Sequence, residues 1–248
     1  MIKEDLKTIK FAAIICVVCS LILSTTVALL KERQDDNVEL DRMINVLKAF
    51  GQPITNGDGR SLNKEEVDAI FAESIEEIII DKESGDILEG MTSVDLPKKE
   101  RKAKTSKDRT MLPLYQWIED GKITQYAFPI SGMGLWSILH GYLSVDSSLT
   151  KFQGITFYKH GETPGMGAEI VKPWFQDQFK EKVFFKDGEL KRFEVKKEGA
   201  SPDDLHAVSG ISAATMTGNG INVFLNRDLA LYEKYFSKIR GKEIPGDG

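Results

Sequence analysis

Cysteine is nearly absent from this chain: 248 residues hold two, Cys16 and Cys19, both inside one apolar run. The remainder therefore has no disulfide and no thiolate ligand set. The C-x-x-C spacing puts the pair on one helical face, where two small apolar side chains are a simpler account than a metal. Histidine is equally scarce. His140, His160 and His206 share no metal-ligand spacing, which argues against a zinc site. An excess of basic charge is missing too, and a formal net charge of -5 argues against a nucleic-acid partner. Lys98, Lys99, Arg101, Lys102, Lys104, Lys107 and Arg109 make one local basic run, but Asp95, Glu100 and Asp108 interrupt it. A solvated face is the plainer reading of that run. No internal repeat is found.

What the chain does have is a long apolar segment. Residues 11–30 are uncharged and mostly apolar. As a helix they span about 30 Å, the thickness of a bilayer core. The run is longer than the apolar region usual in a signal peptide and passes directly into Lys31-Glu32-Arg33, so it reads as a retained anchor. Lys3, Lys7 and Lys10 precede it, and Lys31 and Arg33 follow. That bias favours a cytoplasmic N-terminus and an extracytoplasmic remainder. The expected division is an anchor over 1–35 and one domain over 36–248.

Beyond the anchor, Leu40, Met43, Ile44, Leu47 and Phe50 continue a helical period up to Gly51-Gln52-Pro53. Asn63-Lys64-Glu65-Glu66 reads as a capping box before Val67, Ile70, Phe71 and Ile75. A short strand is expected over 77–81, and residues 90–109 are polar and irregular or partly helical. Strands are expected over 114–118 and 123–130, around the hairpin signal Glu119-Asp120-Gly121. Two more are expected over 135–145 and 152–158. Pro173 opens a short helix. Residues 183–185 and 190–195 flank the turn Lys186-Asp187-Gly188. Ile221, Phe224, Leu225, Leu229 and Tyr232 close the chain at helical spacing. Strands and helices are segregated, which predicts an α+β fold with an antiparallel sheet and flanking helices.

Three glycine-rich loops stand out. They are Ser131-Gly132-Met133-Gly134-Leu135-Trp136-Ser137, His160-Gly161-Glu162-Thr163-Pro164-Gly165-Met166-Gly167, and the segment Ser209 to Gly220. Each mixes glycine with hydroxyls, which suits close approach of backbone to a ligand. The third precedes an apolar helical tail, so a phosphate at a helix start is its natural ligand. Trp136 and Tyr158 lie near the loops in sequence and could stack on a ring. Two patterns fail as alternatives. Gly210-Ile211-Ser212-Ala213-Ala214 lacks the last glycine of a nucleophile elbow, and Gly132-x-Gly134-x-x-Ser137 misses the dinucleotide fingerprint.

On Gly134-Leu135-Trp136-Ser137, the loop Gly161 to Gly167 and the segment Ser212 to Gly220, the chain resembles the C-subunit family of the sodium-translocating NADH:quinone reductase. The resemblance covers nearly the whole chain. It implies one anchor helix and one FMN-binding domain, in a bacterial inner membrane with the domain on the periplasmic side. It further implies FMN joined to threonine by a phosphoester, with Thr215 the acceptor by position, Thr217 the fallback, and Ser212 near the phosphate. Ala214 belongs to the same motif. Leu135 and Trp136 are implied to pack on the flavin, Glu162 and Thr163 to hydrogen-bond it, and Ser137 and Gly165 to belong to the same cofactor-binding loops. Implied partners are the B, D, E and F subunits, the membrane, and a flavin transferase for maturation. The implied role is an electron relay from NADH toward quinone within a translocase. Two positions depart from the pattern: Ala213 stands where the family usually has glycine, and Ser209 where an aspartate often lies. Alanine strains a backbone that needs positive φ. The alternatives are the G subunit of the Rnf ferredoxin-linked complex and a tethered assembly module without flavin. The insert before Leu112 and the Gly-Leu-Trp-Ser loop favour the reductase.

Overall fold

The computed structural model describes residues 2–241. Residues 242–248, the end of the expected 36–248 domain, lie outside the described residues. Contacts divide the chain into Met1–Arg42 and Met43–Gly248. The first unit is helical, part of α1 (Ile2–Ala49), and its stretch Lys7–Lys31 is long and apolar enough to cross a membrane.

The second unit begins with the last turns of α1, which stop before Gly51 at φ 74°. Next comes α2 (Lys64–Ser74), opened by the expected capping box. Asn63 Oδ1 accepts from the Glu66 N–H at 2.9 Å, and Glu66 Oε2 accepts from the Asn63 N–H at 2.8 Å. Five strands follow in meander order: β1 (Ile75–Asp81), β2 (Met111–Glu119), β3 (Lys122–Met133), β4 (Ile138–Asp146) and β5 (Phe152–Lys159). All neighbours are antiparallel, with Tyr115 opposite Ala127, Pro129 opposite Tyr142 and Leu143 opposite Ile155. The β2–β3 turn has Asp120 and Gly121 at φ 51° and 73°, the pair of positive values that matches strand twist in a tight hairpin. The short helix α3 (Lys98–Arg101) lies in the β1–β2 connection, and α4 (Pro173–Gln176) follows β5. Two small pairs complete the sheet content: β6 (Phe185–Lys186) with β7 (Glu189–Leu190), and β8 (Glu194–Lys196) parallel to β9 (Ala207–Ser209). The chain closes with α5 (Thr215–Arg240).

The period-two alternation of the strands decides the layers. Leu112, Leu114, Phe128, Ile130 and Leu143 share a core with Ile221, Phe224, Leu229 and Tyr232 of α5. The Phe128 and Tyr232 rings lie 4.3 Å apart, and the Tyr232 hydroxyl donates to the Pro113 carbonyl at 2.8 Å. On the other face, Trp117 and Ser144 meet the end of α1. The Phe50 ring is 5.4 Å from Trp117, and the Ser144 hydroxyl donates to the Ala49 carbonyl. Fully burying one such phenylalanine contributes about 1.5–3 kcal/mol, so the sheet is held from both sides.

The architecture matches the α+β expectation, with local differences. The strand expected over 135–145 begins at Ile138, because Gly134–Ser137 form a turn closed by the Gly134 N–H on the Ser137 carbonyl at 2.8 Å. Strands in 183–195 are shorter than expected, and β9 has no period long enough to read. Helix α5 starts at Thr215, six residues before Ile221, so it includes Gly218 and Gly220.

Candidate functional site

The fold brings the three glycine loops to one place, and Glu162 is what joins them. Its carboxylate is 5% exposed. Oε1 accepts from the backbone N–H groups of Trp136 (3.0 Å) and Ser137 (3.3 Å). Oε2 accepts from the Leu135 N–H (3.2 Å) and the Thr217 hydroxyl (2.6 Å). Burial alone would raise its pKa, but the Thr217 hydroxyl and the three backbone donors outweigh burial and hold it below the ordinary value. The glycines let this happen. A Cβ on Gly167 would sit 2.6 Å from Thr217 Oγ1, and one on Gly220 would sit 2.2 Å from the Met133 carbonyl oxygen. These two glycines serve contact of the protein with itself.

The remaining expected residues have distinct environments. Ser137 Oγ accepts from the Gly161 N–H at 2.6 Å, tying the first loop to the second. Thr163 is exposed, and its carbonyl accepts from the N–H groups of Met166 and Ala168. Gly165 has φ 72° with open space where a Cβ would be. Leu135 and Trp136 are 41% and 68% exposed, so Trp136 is not a core aromatic. Tyr158 stacks on Tyr142, its ring 5.6 Å away.

In the third loop Ala214 is buried and is the residue before α5, with no side-chain cap on the helix. Thr215 is the first helical residue and half-buried, and among the described residues nothing hydrogen-bonds its hydroxyl. Ser212 is exposed. Thr217 is 1% exposed and committed to Glu162. Ala213 has φ 59°, the left-handed value that costs a non-glycine residue roughly 1–2 kcal/mol. Ser209 Oγ accepts from the Ala200 N–H at 3.0 Å, so it braces the neighbouring loop.

Beside Thr215 runs a small groove lined by Val195, Lys197, Gly210, Ala214 and Gly218. Lys197 is not among the expected residues. It lies in an irregular stretch after β8, where no spacing marks it. Asp228 is a second residue that sequence reasoning misses. It sits fully buried at helical spacing between Phe224 and Tyr232, so an acid on the apolar stripe of α5 is its visible signal. Its Oδ2 accepts from the Ser131 N–H at 2.8 Å, and the Arg227 guanidinium donates to Oδ1 at 2.8 Å. Burial pushes its pKa up to about 6, against the pull of Ser131 and Arg227.

A free hydroxyl at a helix start, uncapped first-turn N–H groups and a lysine in the adjoining groove suit a phosphate-bearing cofactor. The FMN-binding domain family matches residues 134–230, from the Gly134 turn into α5, which makes this domain one of that class. The C subunit of the Na(+)-translocating NADH-quinone reductase of Yersinia pestis is 32% identical over 237 residues, covering 89% of this chain and 86% of that protein. Its counterpart from Pasteurella multocida is 32% identical over 232 residues, covering 87% and 86%. The crystal structure of the C subunit from Parabacteroides distasonis has a TM-score of 0.70 at 30% identity and covers 84% of this chain and 97% of that one. Shewanella oneidensis NqrC gives 0.67 at 25% identity, covering 84% and 99%. This chain belongs to the C-subunit family of the Na(+)-translocating NADH-quinone reductase.

Proposed function

We propose that this chain is the electron-relay subunit of a sodium-pumping NADH:quinone reductase, with FMN held by a phosphoester to Thr215. The bound flavin supplies the redox chemistry, passing electrons between NADH and quinone. The chain's own residues bind and orient. Thr215 offers its oxygen, and the first-turn amides of α5 and the Lys197 ammonium favour the phosphate charge. Ser212 lies on the exposed approach to the same phosphate. Leu135 and Trp136 present exposed apolar surface for the ring, with Ser137, Thr163 and Gly165 on the flanking loops. Glu162 holds those loops in position. The α1 segment anchors the chain in the bacterial inner membrane with the domain on the periplasmic side, where it works with the B, D, E and F subunits after a flavin transferase has loaded it.

The observation that carries the acceptor assignment is the contrast between two threonines. The Thr215 hydroxyl is unbonded and half-buried, while Thr217 is sealed against Glu162. A threonine hydroxyl is a weak nucleophile, so loading requires an enzyme. The test is mass spectrometry of protein expressed with its flavin transferase, together with ultraviolet fluorescence of the denatured band. A mass increase of FMN minus water should vanish in Thr215→Val and remain, at a reduced loaded fraction, in Thr217→Val. The reverse pattern moves the acceptor to Thr217. No adduct in the parent chain would favour the flavin-free assembly module, and loading only beside a ferredoxin-linked complex would favour the Rnf-type subunit.

A further inference from the structure

The first and second glycine loops also contribute Ser137, His160 and Gly161 to a second cleft. The cleft has a volume of about 640 Å³, and its lining includes Lys102, Lys104, Ser137, His140, Lys159 and His160. Every titratable side chain in that lining is basic. Among the described residues none of the three lysines takes part in an ion pair. The nearby carboxylates are spent internally: Glu162 on its four donors, and Glu100 on the Thr110 N–H (2.9 Å) and hydroxyl (2.8 Å). Burial, and after it the charges of Lys159 and Arg109, holds the His140 pKa below its ordinary value. This concentration of charge stands out on a chain whose formal net charge is -5.

We propose that this cleft is a docking site for an acidic protein surface. The three lysines come from two chain segments, Lys102 and Lys104 ahead of β2 and Lys159 at the end of β5, and all three are exposed, so they match carboxylates spread over a protein surface. The positive field would steer an acidic partner to this cleft.

The test uses the full-length chain in nonionic detergent micelles and a fluorescein-labelled decapeptide of glutamates around one leucine, read by fluorescence anisotropy. The wild type should bind at about 50 mM salt and weaken steeply with added salt. Lys102→Glu, Lys104→Glu and Lys159→Glu combined should weaken binding by about tenfold or more, and the milder Lys→Gln triple should lose less. Charge reversal at exposed Lys122 and Lys186, elsewhere on the domain, should change little. Equal binding by the wild type and both triples overturns the proposal. So does tripolyphosphate binding as tightly as the peptide, which would make the cleft a small-anion site. The assay involves no flavin, so its failure leaves the Thr215 assignment standing.

Discussion

Replacing Glu162 by glutamine removes one charge and changes almost no volume, so it isolates what the carboxylate does. Four donors meet that carboxylate: three backbone N–H groups and the Thr217 hydroxyl. A glutamine keeps only one acceptor oxygen. If that oxygen stays toward Trp136 and Ser137, the new NH2 group faces the Leu135 N–H and the Thr217 hydroxyl. The hydroxyl can rotate and accept, but the Leu135 N–H loses its partner. A buried donor left unsatisfied costs about 1–3 kcal/mol, and the two retained bonds lose their charge assistance. The opposite placement strands two N–H groups and is worse. The expected loss for Glu162→Gln is therefore about 2–4 kcal/mol. It is measured by urea unfolding of the full-length chain in micelles, followed by far-ultraviolet circular dichroism.

The pH dependence supplies an independent check on the same reasoning. The folded pKa of Glu162 is depressed below its ordinary value of 4.5. Its stabilisation is therefore present above that value and lost as pH falls through the lower folded value. The gap between wild type and Glu162→Gln should be full at pH 7 and shrink below about pH 4.5. A double-mutant cycle with Thr217→Val should show coupling of about 1–2 kcal/mol. A loss under about 1 kcal/mol at neutral pH, or a gap that does not change between pH 7 and 4, refutes the idea that the carboxylate clamps the loops.

Other outcomes follow from single positions. Gly220→Ala places a Cβ 2.2 Å from the Met133 carbonyl oxygen and should cost about 1–3 kcal/mol or more in thermal or urea unfolding, since backbone cannot yield as a side chain does. Ala213→Gly relieves the φ of 59° and should stabilise by about 0.5–1 kcal/mol, the strain released less the added entropy of the unfolded chain. Asp228 has a folded pKa raised from 3.8 to about 6, so proton uptake favours the folded state in that window. Wild-type stability should rise relative to Asp228→Asn as pH is lowered from 7 toward 5, approaching about 3 kcal/mol near the lower pKa. Lys197→Glu should lower the flavin-loaded fraction severalfold by mass spectrometry while leaving the urea midpoint unchanged.

Long-range order is legible where periodicity is long. The apolar run, the capping box at Asn63, the Asp120-Gly121 hairpin and the amphipathic face of α5 all have local signatures of several residues. The gathering of three loops is legible only as a shared composition, because a single carboxylate makes the connection and sequence spacing of 25 to 55 residues hides it. The role of the glycines is partly misread for the same reason. Composition reads them as room for a ligand, yet at Gly167 and Gly220 the space is filled by Thr217 and the Met133 carbonyl. Lys197 has no periodic signal, since an irregular segment delivers it, and the cleft around Lys159 gathers residues from β4, β5 and the β1–β2 connection that no single spacing links.

The two threonines show where sequence reasoning needs one more fact. Thr215 and Thr217 are two positions apart, so on a helix they point about 200° from each other. Whichever one faces the core, the other faces out, and the choice depends on where the helix begins and how it is rolled. The left-handed turn at Ala213 and the start of α5 after Ala214 set that beginning. Glu162 then fixes the roll by taking the Thr217 hydroxyl. The strain at Ala213 and the clamp at Glu162 thus act on the same variable, the direction in which Thr215 points. Relaxing the first should add stability and leave Thr215 outward, because the second still holds. Removing the second should loosen the roll, so Glu162→Gln should lower loading at Thr215 as well as stability, whereas Ala213→Gly should lower neither.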